Sequence, residues 1–225
     1  MLGNIMILGD SYSTFEGYIP KGHKSYYAPT GPTYINEDPE LKISDNDVCD
    51  VKDTWWYTLA AENGKLLLNS SWSGSTICNT GYGGADYSGR SFTKRIENLI
   101  EEGFFKKNQV NTIFIFGGTN DCAANAPLGE KIYSGWKRED LYNVFPAFSF
   151  LIDLLIKTIP DAKIYCILNT HLSDEVVEFY KLVCEKNGID VIELHDIEKC
   201  WWHPTVKGMR QIKEQILDFI RRVEK

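Results

Sequence analysis

Five short apolar runs, each separated from the next by a helical pattern, limit what this chain can fold into. They are centred on Ile5–Leu8, Lys65–Asn69, Val110–Phe116, Ala162–Leu168 and Ile189–Leu194. Continuous apolar runs of this length read as strands buried on both faces. Helical patterns lie between these runs and after the last of them. Asp53-Thr54 can cap a helix from Trp55 to Ala61 that ends near Asn63-Gly64. A second helix is expected over about Phe92 to Glu102, with Ile96, Leu99 and Ile100 on one face. A third runs from Glu139 to Thr158, irregular near Pro146. Ser173 caps a fourth, which closes at about Asn187-Gly188, and Pro204-Thr205 opens the last. Strands alternating with helices predict a doubly wound parallel sheet in one three-layer α/β/α domain. That domain takes in the whole chain, 1–225, with no repeat, low-complexity segment or linker.

Composition narrows the function. A hydrophobic content of 43% is enough for a substantial core. Net charge is −7 with no basic run, which argues against a nucleic-acid partner. No apolar segment approaches the roughly 20 residues that span a bilayer, so no membrane partner is expected. The six cysteines form no CxxC pair and no Cys/His metal spacing, so neither a zinc site nor a disulfide framework is expected. The first strand begins within a few residues of Met1, without the charged and apolar regions of a secretory signal. A removed leader would look the same. The expected compartment is therefore cytoplasmic if the N-terminus is native and exported if a leader was removed, and the oligomeric state stays open.

The stretch from Glu16 to Asp53 has neither periodicity. It holds four prolines, three glycines and Tyr18, Tyr26, Tyr27 and Tyr34. Long loops in compact domains are functional or disordered, and disordered segments are poor in aromatics. An ordered lid or substrate wall is expected, with Tyr26 and Tyr27 as candidate substrate contacts. The alternative is a packed insertion with no ligand role.

Four polar signals fall just after strands: Gly9-Asp10-Ser11, Ser73-Gly74-Ser75, Gly117-Gly118-Thr119-Asn120-Asp121, and Trp202-His203-Pro204. In an open α/β sheet, ligands bind outside the carboxyl ends of the strands, so these signals gather on one edge. The set suits acyl transfer. A serine hydroxyl needs an adjacent base, and His203 is the residue type for it. A tetrahedral oxyanion needs fixed donors, which glycine N–H groups and an Asn amide supply. Asp10 and Asp121 read as braces for backbone N–H groups, and His171 as a structural histidine. Trp201 and Trp202 flank the expected base, and Trp202 is a further candidate for substrate contact. No G-x-G-x-x-G and no Walker lysine follow the first strand, which argues against a nucleotide-binding sheet.

With these motifs in this order, the chain resembles the SGNH hydrolases, the GDSL-type esterases and lipases. Ser11, Gly74, Asn120 and His203 match that family's four blocks, and the resemblance spans nearly the whole chain. It implies a flavodoxin-like five-stranded sheet of order 2-1-3-4-5 and ester hydrolysis. Ser11 would be the nucleophile and His203 the base. The N–H groups of Ser11 and Gly74, with the Asn120 amide, would form the oxyanion hole. No cofactor and no metal is implied. The expected substrate is a small-molecule or glycan ester, with an acetyl group favoured because the loops hold few Leu, Ile or Val residues. A lipase or thioesterase is the alternative within the class, and a weakened ligand-binding member of the fold is the alternative outside it.

One position departs from the pattern. The family's orienting Asp, three residues before the His, is Cys200 here. Asp196 and Glu198 are the nearby acids, neither in register. A Ser11–His203 dyad oriented by a backbone carbonyl of the Cys200-Trp201-Trp202 segment is the expectation.

Overall fold

The structure is a computed structural model that describes residues 1–32 and 46–223. Tyr34 and the middle of the 16–53 insertion lie outside the described residues.

Five strands form one parallel sheet: β1 (Gly3–Gly9), β2 (Gly64–Asn69), β3 (Thr112–Phe116), β4 (Lys163–Leu168) and β5 (Asp190–Glu193). Their order is β2-β1-β3-β4-β5, as the resemblance implies. Side chains alternate across a strand, so each apolar run serves two cores at once. Met6, Leu8, Ile113, Ile115, Cys166 and Leu168 face one side, where they meet α2 (Phe92–Glu101), α5 (Val144–Thr158) and α6 (Asp174–Lys186). Ile5, Ile7, Phe114, Phe116, Tyr165 and Ile167 face the other, against α1 (Trp55–Asn63) and α7 (Val206–Val223). The α7 stripe is Met209, Ile212, Ile216 and Ile220, all buried. Each fully buried aliphatic or aromatic side chain of these layers contributes roughly 1.5–3 kcal/mol.

Pro146 does not break the long helix. The chain makes a 3₁₀ turn over Arg138–Tyr142, and α5 then starts at Val144, so Pro146 falls in its first turn. A missing N–H there costs nothing, because first-turn N–H groups have no partner within the helix. Two short helices have no clear sequence signal: α3 (Phe104–Lys107) and α4 (Thr119–Ala123). The span between β5 and the last helix, which reads in sequence as a simple connection, contains a two-residue hairpin, β6 (Lys199–Cys200) against β7 (His203–Pro204).

Register positions the site. Gly9 pairs with Phe116, Phe116 with Ile167, and Leu168 with Glu193. The carboxyl ends of β1, β3, β4 and β5 are therefore nearly flush, and the loops that follow them emerge side by side.

Candidate active site

Ser11 follows β1 by two residues, in a single 3₁₀ turn over Ser11–Ser13. Asp10 caps that turn, its Oδ1 accepting from the Tyr12 N–H at 3.0 Å. The strand must end on glycine. A Cβ at Gly9 would stand 2.6 Å from Ser13 Oγ and 2.7 Å from Ser71 Oγ. The turn aims Ser11 at the hairpin, where its Oγ lies 2.9 Å from His203 Nε2.

His203 is held from several sides. The two-residue turn Trp201-Trp202 joins β6 to β7, with Trp201 in the left-handed region at φ 60°. That conformation costs a non-glycine residue about 1–2 kcal/mol. The Tyr12 hydroxyl donates to the Trp202 carbonyl oxygen. Tyr27 Oη and Asn46 Nδ2 both donate to the Pro204 carbonyl, at 2.9 and 3.0 Å. Asp47 Oδ1 accepts from the Val206 N–H at 2.7 Å, at the start of α7. The Tyr26 ring stacks face to face on the imidazole, centroids 3.5 Å apart and planes within 9°. Ring pairs of this kind are worth about 0.5–1.5 kcal/mol beyond burial. The two described ends of the 16–53 insertion thus brace the base. Tyr27 is completely buried, with its hydroxyl committed to backbone, so it is no substrate contact. Tyr26 and Trp202 both line the cavity beside Ser11.

The acids near the histidine point elsewhere. Asp196 Oδ2 lies 3.0 Å from His195 Nδ1, and Glu198 takes the Thr205 hydroxyl at 2.8 Å and Lys207 Nζ at 2.7 Å. Among the described residues, neither a carboxylate nor a backbone carbonyl accepts from His203 Nδ1, so the expected carbonyl orienter is not found among them. Cys200 is the cross-strand partner of His203. Directly opposed residues of an antiparallel pair have Cβ atoms about 4.5–5.5 Å apart, so the thiol stands on the imidazole's side of the hairpin. His171, expected to be structural, is exposed, with its ring 4.8 Å from that of Trp202.

Asn120 sits in the first turn of α4 and Gly74 in the loop after β2, and both line the same cavity. Partners fix the amide orientation. The Ser75 carbonyl can only accept, so Asn120 Nδ2 faces it at 3.0 Å. The Tyr82 hydroxyl donates to Asn120 Oδ1 at 2.8 Å. The second amide hydrogen makes a longer contact, 3.3 Å, with Asp10 Oδ2, and this is the one an oxyanion could claim. Gly74 has φ 74°, the left-handed region that glycine enters without strain. The loop carrying it is strapped down. Asp121 accepts from the N–H groups of Ile77 and Cys78 at 2.9–3.1 Å. Arg95 is buried beneath and donates to the Ser70 carbonyl and, at 3.1 Å, to Ser75 Oγ. Asp10 and Asp121 therefore brace backbone as expected. Tyr82, Arg95 and Lys199 are the residues sequence reasoning missed. Lys199 Nζ donates to Asn169 Oδ1 at 3.0 Å and to Thr170 Oγ1 at 2.7 Å, tying the hairpin to the end of β4.

Electrostatics follow from burial. Burial, aided by the Lys199 cation, pushes the His203 imidazole down to about 3, so the ring is neutral at neutral pH and one of its nitrogens is free to accept a proton. Burial raises Asp10 to about 7, against the opposing pull of the Tyr12 N–H and Arg95. Burial also lowers Lys199 to about 8 and Arg95 to about 9, with Asp10 countering in both. The cavity beside Ser11 has a volume of about 470 Å³ and is walled by Tyr82, Ala123, Trp201 and Trp202. A hollow of about 440 Å³ between α1 and α7 has no serine, cysteine or histidine among the described residues of its lining. Among the described residues, no cluster of His, Cys, Asp or Glu could hold a metal ion.

Comparison with known proteins agrees with this architecture. The chain is 45% identical to a Bacteroides ovatus protein provisionally named a GDSL-like lipase, with 99% of each chain covered and a TM-score of 0.86. A Bacteroides uniformis protein of the same provisional name is 42% identical, over 98% of this chain and 96% of that one, with a TM-score of 0.85. A carbohydrate acetylesterase from Sinorhizobium meliloti shares the fold at 12% identity, over 98% and 99% of the two chains, with a TM-score of 0.59. No curated protein matches by sequence. The family model for GDSL-like lipases and acylhydrolases matches residues 3–220, from the start of β1 into the last turn of α7. With all four polar loops inside that span, the chain belongs to the GDSL-like lipase/acylhydrolase family.

Proposed function

We propose that this hydrolase removes a short acyl group, acetyl above all, from a saccharide through an acyl-enzyme on Ser11. The observation that carries the reading is the 2.9 Å contact between Ser11 Oγ and a neutral His203 Nε2 at a cavity that Gly74 and Asn120 also line. Ser11 Oγ attacks the ester carbonyl while His203 Nε2 takes its proton. The developing oxyanion is held by the N–H groups of Ser11 and Gly74 and by Asn120 Nδ2. His203 then protonates the departing alcohol. Water, deprotonated by the same nitrogen, releases the carboxylic acid and restores Ser11.

Two features favour a short acyl group and a sugar alcohol. Among the described residues, Ala123 is the sole aliphatic side chain in the cavity lining, so an acyl chain of many carbons finds no aliphatic groove. Tyr82, Trp201 and Trp202 are 45%, 48% and 53% exposed around the mouth, as ring-stacking platforms would be. The acetylesterase with the same fold supports the reading. The test is a chain-length series of p-nitrophenyl esters beside an acetylated methyl xyloside. The acetate is expected to exceed the octanoate in kcat/KM by roughly tenfold or more, since each misplaced methylene is worth about 1–3 kcal/mol. A preference for octanoate would favour the lipase reading.

The base works as half of a dyad in this proposal. Asp196→Asn and Glu198→Gln are each expected to keep kcat within about tenfold of wild type, whereas loss of a true triad acid costs about 10⁴. Steady-state kinetics on p-nitrophenyl acetate decides this. A thousandfold loss in either folded variant would show a displaced third member.

A further inference from the structure

A second depression of about 1150 Å³ adjoins the active-site cavity. The two share Ser73, Gly74 and Tyr82 in their linings, so the depression borders the place where an ester would lie at Ser11. One bank is the Glu16–Ser25 arm of the insertion, and the other carries Tyr87 and Arg90. The arm is tied to the oxyanion loop by the Ser73 N–H, which donates to the Lys24 carbonyl at 2.9 Å. His23 stacks on Trp72 with centroids 4.3 Å apart, and its Nδ1 lies 2.9 Å from the Ser71 carbonyl. The bank is thus fixed relative to Ser11.

Its charge is opposite to that of the molecule. The chain has 31 acidic against 24 basic residues, yet the described lining of this depression sets Lys21, Lys24 and Arg90 against Glu16 alone. None of the three cations forms an ion pair with a described residue. The Arg90 guanidinium is already ordered, 3.5 Å over the Tyr87 ring, which leaves its N–H edge to meet an anion. Such a fork matches the paired oxygens of carboxylate and sulfate.

We infer that this depression seats the alcohol part of the substrate and that the alcohol is an anionic saccharide, with a carboxylate or sulfate on or next to the esterified ring. The inference rests on the esterase reading of Ser11 and extends it to the leaving group. Lys21, Lys24 and Arg90 meet the negative charge, and Tyr82 at the junction lies beside both the sugar and the oxyanion site.

Three acetylated substrates test it: a methyl glucuronoside, a sulfated methyl glucoside and a neutral methyl glucoside. One or both anionic esters should exceed the neutral one in kcat/KM by roughly tenfold, as expected of exposed charge pairs worth up to about 1 kcal/mol each. The excess should shrink as salt is added. In Lys24→Gln combined with Arg90→Gln the ratio of anionic to neutral turnover should fall toward one. The larger of the two wild-type ratios tells which anion is preferred. Equal turnover of all three substrates by the wild type, or a ratio unmoved in the double variant, would overturn the inference. The esterase reading is judged separately, on p-nitrophenyl acetate. Should that ester prove inert, titrating the three deacetylated glycosides against tryptophan fluorescence still decides the matter. Selective binding of an anionic sugar supports the groove, and no selectivity overturns it.

Discussion

Replacing Ser11 by alanine is expected to lower kcat for acetyl ester hydrolysis by roughly 10⁵- to 10⁶-fold, because nucleophile and base act as a unit and loss of either removes the covalent route. The fold should be unaffected. Ser11 lies in the turn beyond β1, and its carbonyl, which accepts from Thr14 Oγ1 at 2.9 Å, is retained in the variant. Alanine removes the hydroxyl that bonds to His203, an interaction worth about 0.5–1.5 kcal/mol. Turnover of p-nitrophenyl acetate measured beside the thermal midpoint separates the two effects. A folded variant with near-normal turnover would remove Ser11 from the reaction.

Asn120→Ala is expected to lower kcat by about 10²- to 10³-fold with little change in KM, since in the proposed reaction the amide serves a charge that exists in the transition state and not in the bound ester. This residue also has a structural part. Its amide joins Tyr82, Ser75 and Asp10, so alanine takes a donor from the buried Ser75 carbonyl. That costs about 1–3 kcal/mol of stability. The thermal midpoint measured beside turnover separates the parts, with the loss in kcat expected in protein still folded at the assay temperature. A normal kcat with a raised KM would make Asn120 a binding residue.

Much of this is legible from the chain because it follows from local rules. A run such as Thr112–Phe116, apolar on both faces, can only be a covered strand, and alternation of such runs with helices leaves few topologies. The turn after β1 is legible because Gly9, Asp10 and Ser11 each have a steric or capping reason to stand there. What stays hidden depends on distant residues. The β6–β7 hairpin is two residues a side, too short to show a period of two, and nothing in Trp201 announces a left-handed backbone. Tyr27 reads as a substrate contact because an aromatic in an irregular segment gives no sign of its burial, and here its hydroxyl is spent on Pro204. Tyr82 and Arg95 carry no local motif, and their relation to Asn120 and Ser75 emerges once the loop after β2 folds back over α4. The partners of Asp196 and Glu198 are neighbours on α7 and in the loops beside it, which sequence register alone could not separate from His203.

The central claim is a covalent intermediate on Ser11 formed with the help of His203. It is tested most directly by treating the protein with a fluorophosphonate, digesting it and locating the adduct by peptide mass spectrometry. One phosphonyl group per chain is expected, on Ser11, formed rapidly in the wild type and at least a hundredfold more slowly in His203→Gln, in line with the roughly 10²- to 10⁴-fold contribution of a positioned base. An unlabelled Ser11 in folded protein, or equal labelling of the His203→Gln variant, would contradict it.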